Sequence, residues 1–155
     1  MSDFRAIGGV SACDLRGAEY RSITTLEASV LKNADVVAFV PTCNPQRARA
    51  FYEHVLGLEF VSEDPFALVF NANGVTVRVA DVSSVQDFKP ASFTILGWLV
   101  PSAEAAVRDL QARGVAFERY PGMQQSQTGI WTSPSGAKVA WFKDPDGNVL
   151  SVTES

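Results

Sequence analysis

The sequence holds one histidine and two cysteines in 155 residues, so the donors that build structural metal sites and disulfide frameworks are nearly missing. Cys13 and Cys43 form no Cys-x-x-Cys pair and have no histidine beside them, which excludes a zinc knuckle and a disulfide scaffold. That usage predicts a reducing, cytoplasmic setting. Runs of like charge are also absent: 13 basic and 17 acidic side chains are dispersed along the chain for a net charge of −4, which argues against nucleic acid as a partner. No apolar run approaches the roughly 20 residues needed to cross a bilayer, because Gly, Pro or charge interrupts each one. No membrane partner is expected.

What is present is an ordinary globular mixture, 46% apolar and 19% charged. A chain of this length buries roughly 70% of its unfolded surface, so a metal is not needed to hold a core and would have to be functional. Residues 1–34 mix Gly, Ser, Thr and scattered charge and read as an N-terminal extension, with a short helix expected over Leu26–Lys32 behind Thr25 as its cap. Val10-Ser11-Ala12-Cys13 has the outline of a lipoprotein cleavage box, but Asp3 and Arg5 leave no adequate apolar stretch ahead of it.

Residues 35–155 read as one domain with an internal repeat, module one spanning 35–83 and module two 91–155. Strand Val36–Val40 runs into Asn44-Pro45, a cap followed by the residue suited to the first helical position. The helix then sets Ala48, Phe51, Tyr52 and Val55 on one face and stops at Gly57. In the second module strand Phe93–Val100 meets the cap Ser102, the stripe Ala103, Ala106, Val107 and Leu110, and the stop Gly114. The caps lie 58 residues apart and the stops 57. Strands are expected after each helix: Leu58–Ser62, Phe66–Asn71 and Gly74–Asp81, then Ala116–Tyr120, Lys138–Lys143 and Asn148–Thr153. Asn73-Gly74 and Asp144-Pro145-Asp146-Gly147 supply the turn chemistry. Thr128–Ser133 has no counterpart in the first module and reads as a loop with strand character. The predicted fold is α+β: two tandem βαβββ modules whose curved mixed sheet surrounds a central cavity, since neither module can cover its own open face.

Two stretches in this order, Ala48-Arg49-Ala50-Phe51-Tyr52-Glu53-His54-Val55-Leu56-Gly57-Leu58 and Phe142-Lys143-Asp144-Pro145-Asp146-Gly147-Asn148, resemble the vicinal oxygen chelate superfamily. That superfamily includes glyoxalase I, bleomycin-resistance proteins, fosfomycin-resistance enzymes and extradiol dioxygenases. The resemblance covers residues 35–155 and implies the fold more strongly than any one activity. It also implies four inward positions, two per module, at which metal-binding members carry His, Gln or Glu. Counting from the caps and hairpin glycines places Val37, Arg78, Ile95 and Ser151 there. Two aliphatics, a hydroxyl and a guanidinium that stays protonated cannot replace water around a divalent cation. No metal and no cofactor is expected, and His54, in a polar stretch of the first helix, reads as a surface residue.

Strand alternation taken from those four positions predicts an apolar cavity with one fixed positive charge. Val37, Phe39, Val69 and Arg78 face inward in the first module; Ile95, Leu99, Phe142 and Ser151 do so in the second, with Ala140 alongside and Trp98 and Trp141 on the helix side. The polar, glycine-bounded segment from Tyr120 to Gly129 reads either as an ordinary solvated loop or as a lid that brings Gln125 and Trp131 to the ligand. These ten residues, Val37, Phe39, Val69, Arg78, Ile95, Leu99, Gln125, Trp131, Phe142 and Ser151, are the expected ligand contacts. The expected ligand is a small molecule with an aromatic or alkyl body and a carboxylate or carbonyl end, held by Arg78. The competing reading sets Arg78 at a sheet rim, paired structurally with a carboxylate such as Asp81 or Glu118 or simply reaching water. No inward His, Glu or Asp is available as a general base, so metal-free binding of the bleomycin-resistance type is preferred. The alternatives are a glyoxalase-like lyase or isomerase or a dioxygenase whose metal ligands lie elsewhere, and a non-catalytic scaffold subunit. The resemblance further implies a homodimer.

Overall fold

Asn44 and Ser102 start the two principal helices, as their positions in the repeat require. The computed structural model describes residues 31–155, and the architecture is that of the unit Asp35–Ser155; the helix expected over Leu26–Lys32 falls mainly outside the described residues. In the first module β1 (Val37–Thr42) enters α1 (Pro45–Arg49), where Asn44 Oδ1 accepts the Arg47 N–H at 3.0 Å. The helix widens into a π-helix over Ala50–Val55, with the Leu56 N–H reaching back five residues to the Phe51 carbonyl at 2.9 Å. This wider turn brings Phe51, Tyr52, Val55 and Leu56 all against the core. β2 (Glu59–Asp64), β3 (Ala67–Ala72) and β4 (Val75–Asp81) complete a sheet of order β1-β4-β3-β2, with β1 parallel to β4. Asn73 and Gly74, at φ 51° and 88°, join β3 to β4 through the two-residue turn that suits a hairpin's twist.

The second module repeats this order. β5 (Thr94–Leu99) leads to α2 (Ala103–Ala112), whose first turn is capped by Ser102 Oγ accepting the Ala105 N–H at 3.2 Å. β6 (Trp131–Thr132), β7 (Lys138–Lys143) and β8 (Val149–Glu154) then form a sheet of order β5-β8-β7-β6. The strand expected at Ala116–Tyr120 is reduced to a bridge between Phe117 and Phe142, supported by the Glu118 N–H to the Trp141 carbonyl at 2.7 Å. Farther along, the same edge of β7 is taken by β6. One edge strand is thus split in two by an inserted loop, which explains why residues 128–133 lack a counterpart in the first module.

A single core runs under both helices. Val40, Leu68, Phe70, Val77 and Val79 pack on Ala48 and Tyr52, and Ala140, Leu150 and Val152 pack on Ala103 and Val107. Phe66, expected as the first residue of a strand, instead sits in the β2–β3 turn and is 75% exposed.

The modules are fastened by the turn that precedes β8. Buried Asp144 accepts four hydrogen bonds: from the Tyr52 hydroxyl at 2.7 Å, Asn148 Nδ2 at 2.7 Å, and the backbone N–H groups of Asp146 and Asn148 at 2.9 Å each. Asp146 accepts the Thr42 hydroxyl at 2.6 Å and the Cys43 N–H at 2.9 Å, and Asn148 Nδ2 also donates to the Pro41 carbonyl at 2.8 Å. Burial, then the neighbouring Asp144 carboxylate, push the Tyr52 hydroxyl well above the ordinary tyrosine range. Tyr52 therefore stays a neutral donor.

Candidate functional site

The register of the strands decides which side chains share a face. In the first sheet Val37 pairs with Thr76 and Phe39 with Arg78, and Arg78 also pairs with Val69. These residues lie opposite the buried set Val40, Phe70, Val77 and Val79, on the sheet's helix-free face. In the second sheet Ser151 pairs with Gly97 and with Trp141, and Leu99 pairs with Thr153. The first helix and α2 meet where Arg113 Nη1 donates to the Val55 carbonyl at 2.9 Å, so both helices lie on one side. The two helix-free faces therefore share the other side, adjoining where β1 meets β5.

That common face has an aromatic wall. Trp141 stands 5.6 Å from Tyr120 and 6.1 Å from Trp131, centroid to centroid. Phe39 is 63% exposed and Leu99 74%, so the β1 and β5 strands also present bare hydrocarbon. Ser151 is only 7% exposed and makes no side-chain hydrogen bond among the described residues. Its hydroxyl lies over Gly97, where an added Cβ would come within 2.6 Å of Oγ. Gly97→Ala is expected to destabilise the fold by about 1–2 kcal/mol through overpacking, and Gly97→Ala/Ser151→Gly to recover most of it in urea titrations.

Several expected contacts are placed differently. Phe142 is fully buried on the helix side, 6.5 Å from Trp98 and 5.5 Å from Phe117, and Ala140 lies on the same side. Trp141, expected beneath the helix, is the residue that faces Ser151. Ile95 falls between the pairs Thr94–Val149 and Leu96–Leu150 as the extra residue of a bulge, so its inward phase is lost. Gln125 is committed to its own loop: Oε1 accepts the Tyr120 N–H at 2.8 Å, and Nε2 donates to the Glu118 and Gly129 carbonyls at 3.0 and 2.8 Å. It pins the loop instead of facing a ligand. Trp131 does reach the common face, beside Trp141 and not through a lid. His54 is exposed.

Arg78 lies on the common face and is paired with a carboxylate, though with neither Asp81 nor Glu118. Its Nη2 donates to Asp64 Oδ2 at 2.6 Å, while Asp81 accepts the Ser83 N–H and Glu118 pairs with Lys143. Asp64 also accepts the N–H groups of Phe66 and Ala67, at 2.8 and 2.9 Å, which closes the β2–β3 turn. The Phe66 N–H first, and then Arg78, hold the Asp64 carboxyl below its ordinary value of 3.8. A lowered native value means a stabilising contribution that is fully present above the ordinary carboxylate range and lost as pH falls through the native one. Asp64→Asn is expected to lose stability at pH 6 and to show a smaller further loss below about pH 4 than the parent, measured by urea unfolding at each pH.

The four positions at which the superfamily would hold a metal do not fit one. Val37 and Ile95 offer no donor atom, Arg78 is a cation already paired with Asp64, and Ser151 offers a neutral hydroxyl. Among the described residues no group of three or more His, Cys, Asp or Glu side chains is placed to hold an ion.

Comparison with known proteins gives a consistent picture. Residues 34–152 match the family model of the Glyoxalase/Bleomycin resistance protein/Dioxygenase superfamily. No curated protein matches. Among solved structures, a member of that superfamily from Sphaerobacter thermophilus superposes with a TM-score of 0.61 at 23% identity, over 78% of this chain and 96% of its own. A lactoylglutathione lyase from Agrobacterium tumefaciens gives 0.58 at 22% identity, over 79% and 94%. An integron cassette protein from the metagenome of the Halifax Harbour sewage outfall gives 0.59 at 19%, over 79% and 99%. At these identities the structures speak for the fold alone, whereas the family model spans most of the sequence. With two βαβββ modules in tandem and that match over residues 34–152, the chain belongs to the Glyoxalase/Bleomycin resistance protein/Dioxygenase superfamily.

Proposed function

We propose that the protein binds a small aromatic ligand, without a metal, on the helix-free face between the β1 strand and the aromatic wall of the second module. The observation that carries this reading is the pairing of that wall, Tyr120, Trp141 and Trp131, with the nearly buried and unengaged Ser151 hydroxyl. A planar ring stacks on an indole and leaves its edge free for one hydrogen bond. Val37, Phe39, Val69 and Leu99 supply the apolar border. Arg78, its side chain 31% exposed, retains donors beyond the one given to Asp64 and accepts the ligand's carboxylate or carbonyl end. Because Asp64 neutralises part of its charge, Arg78 orients the ligand more than it attracts it. Among the described residues no carboxylate or imidazole on this face is positioned as a base, so sequestration without turnover accounts for the residues better than catalysis.

The test is a thermal-shift screen of aromatic carboxylates and their neutral amides, beside elemental analysis of protein purified without chelator. A ligand at a hundredfold excess over its Kd stabilises by about 2.7 kcal/mol, and less than about a tenth of an equivalent of any transition metal is expected. Stoichiometric metal, or shifts insensitive to Trp141→Ala and Arg78→Gln alike, refutes the proposal. The same reading includes a homodimer that shelters exposed Phe39 and Leu99; a monomer in sedimentation velocity at working concentration removes that part.

A further inference from the structure

The molecule has a recess on the helix side of the second sheet. It opens between α2 and the helix side of the second sheet, and its mouth faces the end of the first module's helix. Its volume is about 390 Å³, within the range of roughly 300–1,000 Å³ typical of small-molecule sites. Trp98, Phe142 and Val152 form its floor, Ala106 and Leu110 its roof, and Leu56 and Leu58 of the first module its front wall. The small side chain of Ala106 leaves the space that a larger residue on α2 would close.

One charge at the mouth has no acidic partner. Arg113 gives Nη1 to the Val55 carbonyl at 2.9 Å and makes no ion pair among the described residues. Among the described residues that line the recess, the carboxylate, Asp109, is held by Arg108 at 3.0 Å. Asn73, an amide at the rim, adds no charge. An aliphatic slot ending in a guanidinium with donors to spare matches an amphiphile with a hydrocarbon tail and an anionic head.

We infer that this recess is a second ligand site, which takes an aliphatic monocarboxylate with its tail between α2 and the sheet and its head on Arg113. The site is distinct from the aromatic wall, because its floor residues Trp98, Phe142 and Val152 point to the opposite side of the second sheet from Trp141 and Ser151, although Leu99 of β5 also lines it.

Octanoate tests this directly, with 1-octanol as its neutral counterpart and the full chain labelled for detection of its three indole N–H signals. Saturable octanoate binding is expected to shift the Trp98 indole, assigned through Trp98→Phe, and to leave those of Trp131 and Trp141 in place. Arg113→Gln is expected to weaken octanoate about tenfold, the loss of one charge-assisted contact, and to leave octanol unchanged; Arg113→Lys should retain part of the preference. Ala106→Leu, which fills the roof, is expected to weaken both probes. Unfolding midpoints of each variant separate loss of the site from loss of the fold. Absence of saturable octanoate binding by the parent protein overturns the inference. So does movement of the Trp131 or Trp141 indole in place of Trp98, or equal affinity of the parent and Arg113→Gln. Arg78→Gln, which belongs to the other face, should not change octanoate affinity, so failure here and failure of the aromatic-ligand reading remain distinguishable.

Discussion

Asp144→Ala is expected to lower the free energy of unfolding by about 3–5 kcal/mol. The carboxylate is buried and is the shared acceptor for the Tyr52 hydroxyl, the Asn148 amide and two backbone N–H groups. Removing it strands four donors where water cannot replace it. Tyr52→Phe removes just one of those donors, and a loss of about 1–2 kcal/mol is expected. Because Tyr52 and Asp144 belong to different modules, the double variant should lose less than the sum of the two singles. Urea unfolding of all four proteins measures this coupling. Strict additivity would show that the turn before β8 does not hold the modules together.

Adjacent residues of β7 are expected to behave oppositely. Phe142→Ala empties a fully buried position under Trp98 and Phe117 and should cost about 3–5 kcal/mol. Trp141→Ala removes a half-buried ring from the helix-free face, with an expected stability loss of about 1–2 kcal/mol. Its main effect is on binding: a ligand that stabilises the parent protein should bind at least about tenfold more weakly when this stacking surface is gone. Thermal shifts and unfolding curves on the two variants give both quantities. A Phe142→Ala protein that keeps its stability and loses the ligand would reverse the orientation of β7.

The orientation of β7 is also where reading from the repeat fails, for a reason that can be traced to turn length. The first hairpin turns in two residues, Asn73 and Gly74, which places Ala72 opposite Val75 and Val69 opposite Arg78. The second takes five, Asp144–Asn148, which places Lys143 opposite Val149 and Trp141 opposite Ser151. The two turns differ by an odd number, and side chains alternate with period two, so the equivalent strand turns its other face inward. Counting across the longer turn from Ser151 identifies Trp141 from sequence alone. Ile95 escapes such counting because a bulge in β5 carries no clear residue signature.

Arg78 shows a different kind of limit. Its place on the helix-free face follows from the Asn73-Gly74 turn, yet its partner Asp64 is set by how β2 lies along β3, including a register shift between Phe60 and Ser62. Gln125 is a third case. A polar, glycine-bounded loop looks like a lid, but the amide is spent closing the loop on itself, and only the bend of the backbone brings Tyr120, Glu118 and Gly129 within reach.

Local signals determined the two-module plan of this protein: capping residues, helix stops and turn dipeptides act within a few residues of themselves, so their order along the chain survives into the fold. The scarcity of histidine and cysteine was equally a property of the sequence, since composition does not depend on where the chain goes. Tertiary structure alone decided which rings meet on the common face, which carboxylate holds Arg78, and how the turn before β8 seizes Tyr52. Those outcomes depend on register and on contacts between residues as much as 107 positions apart, where no local preference acts and only packing of the finished sheets selects the partner.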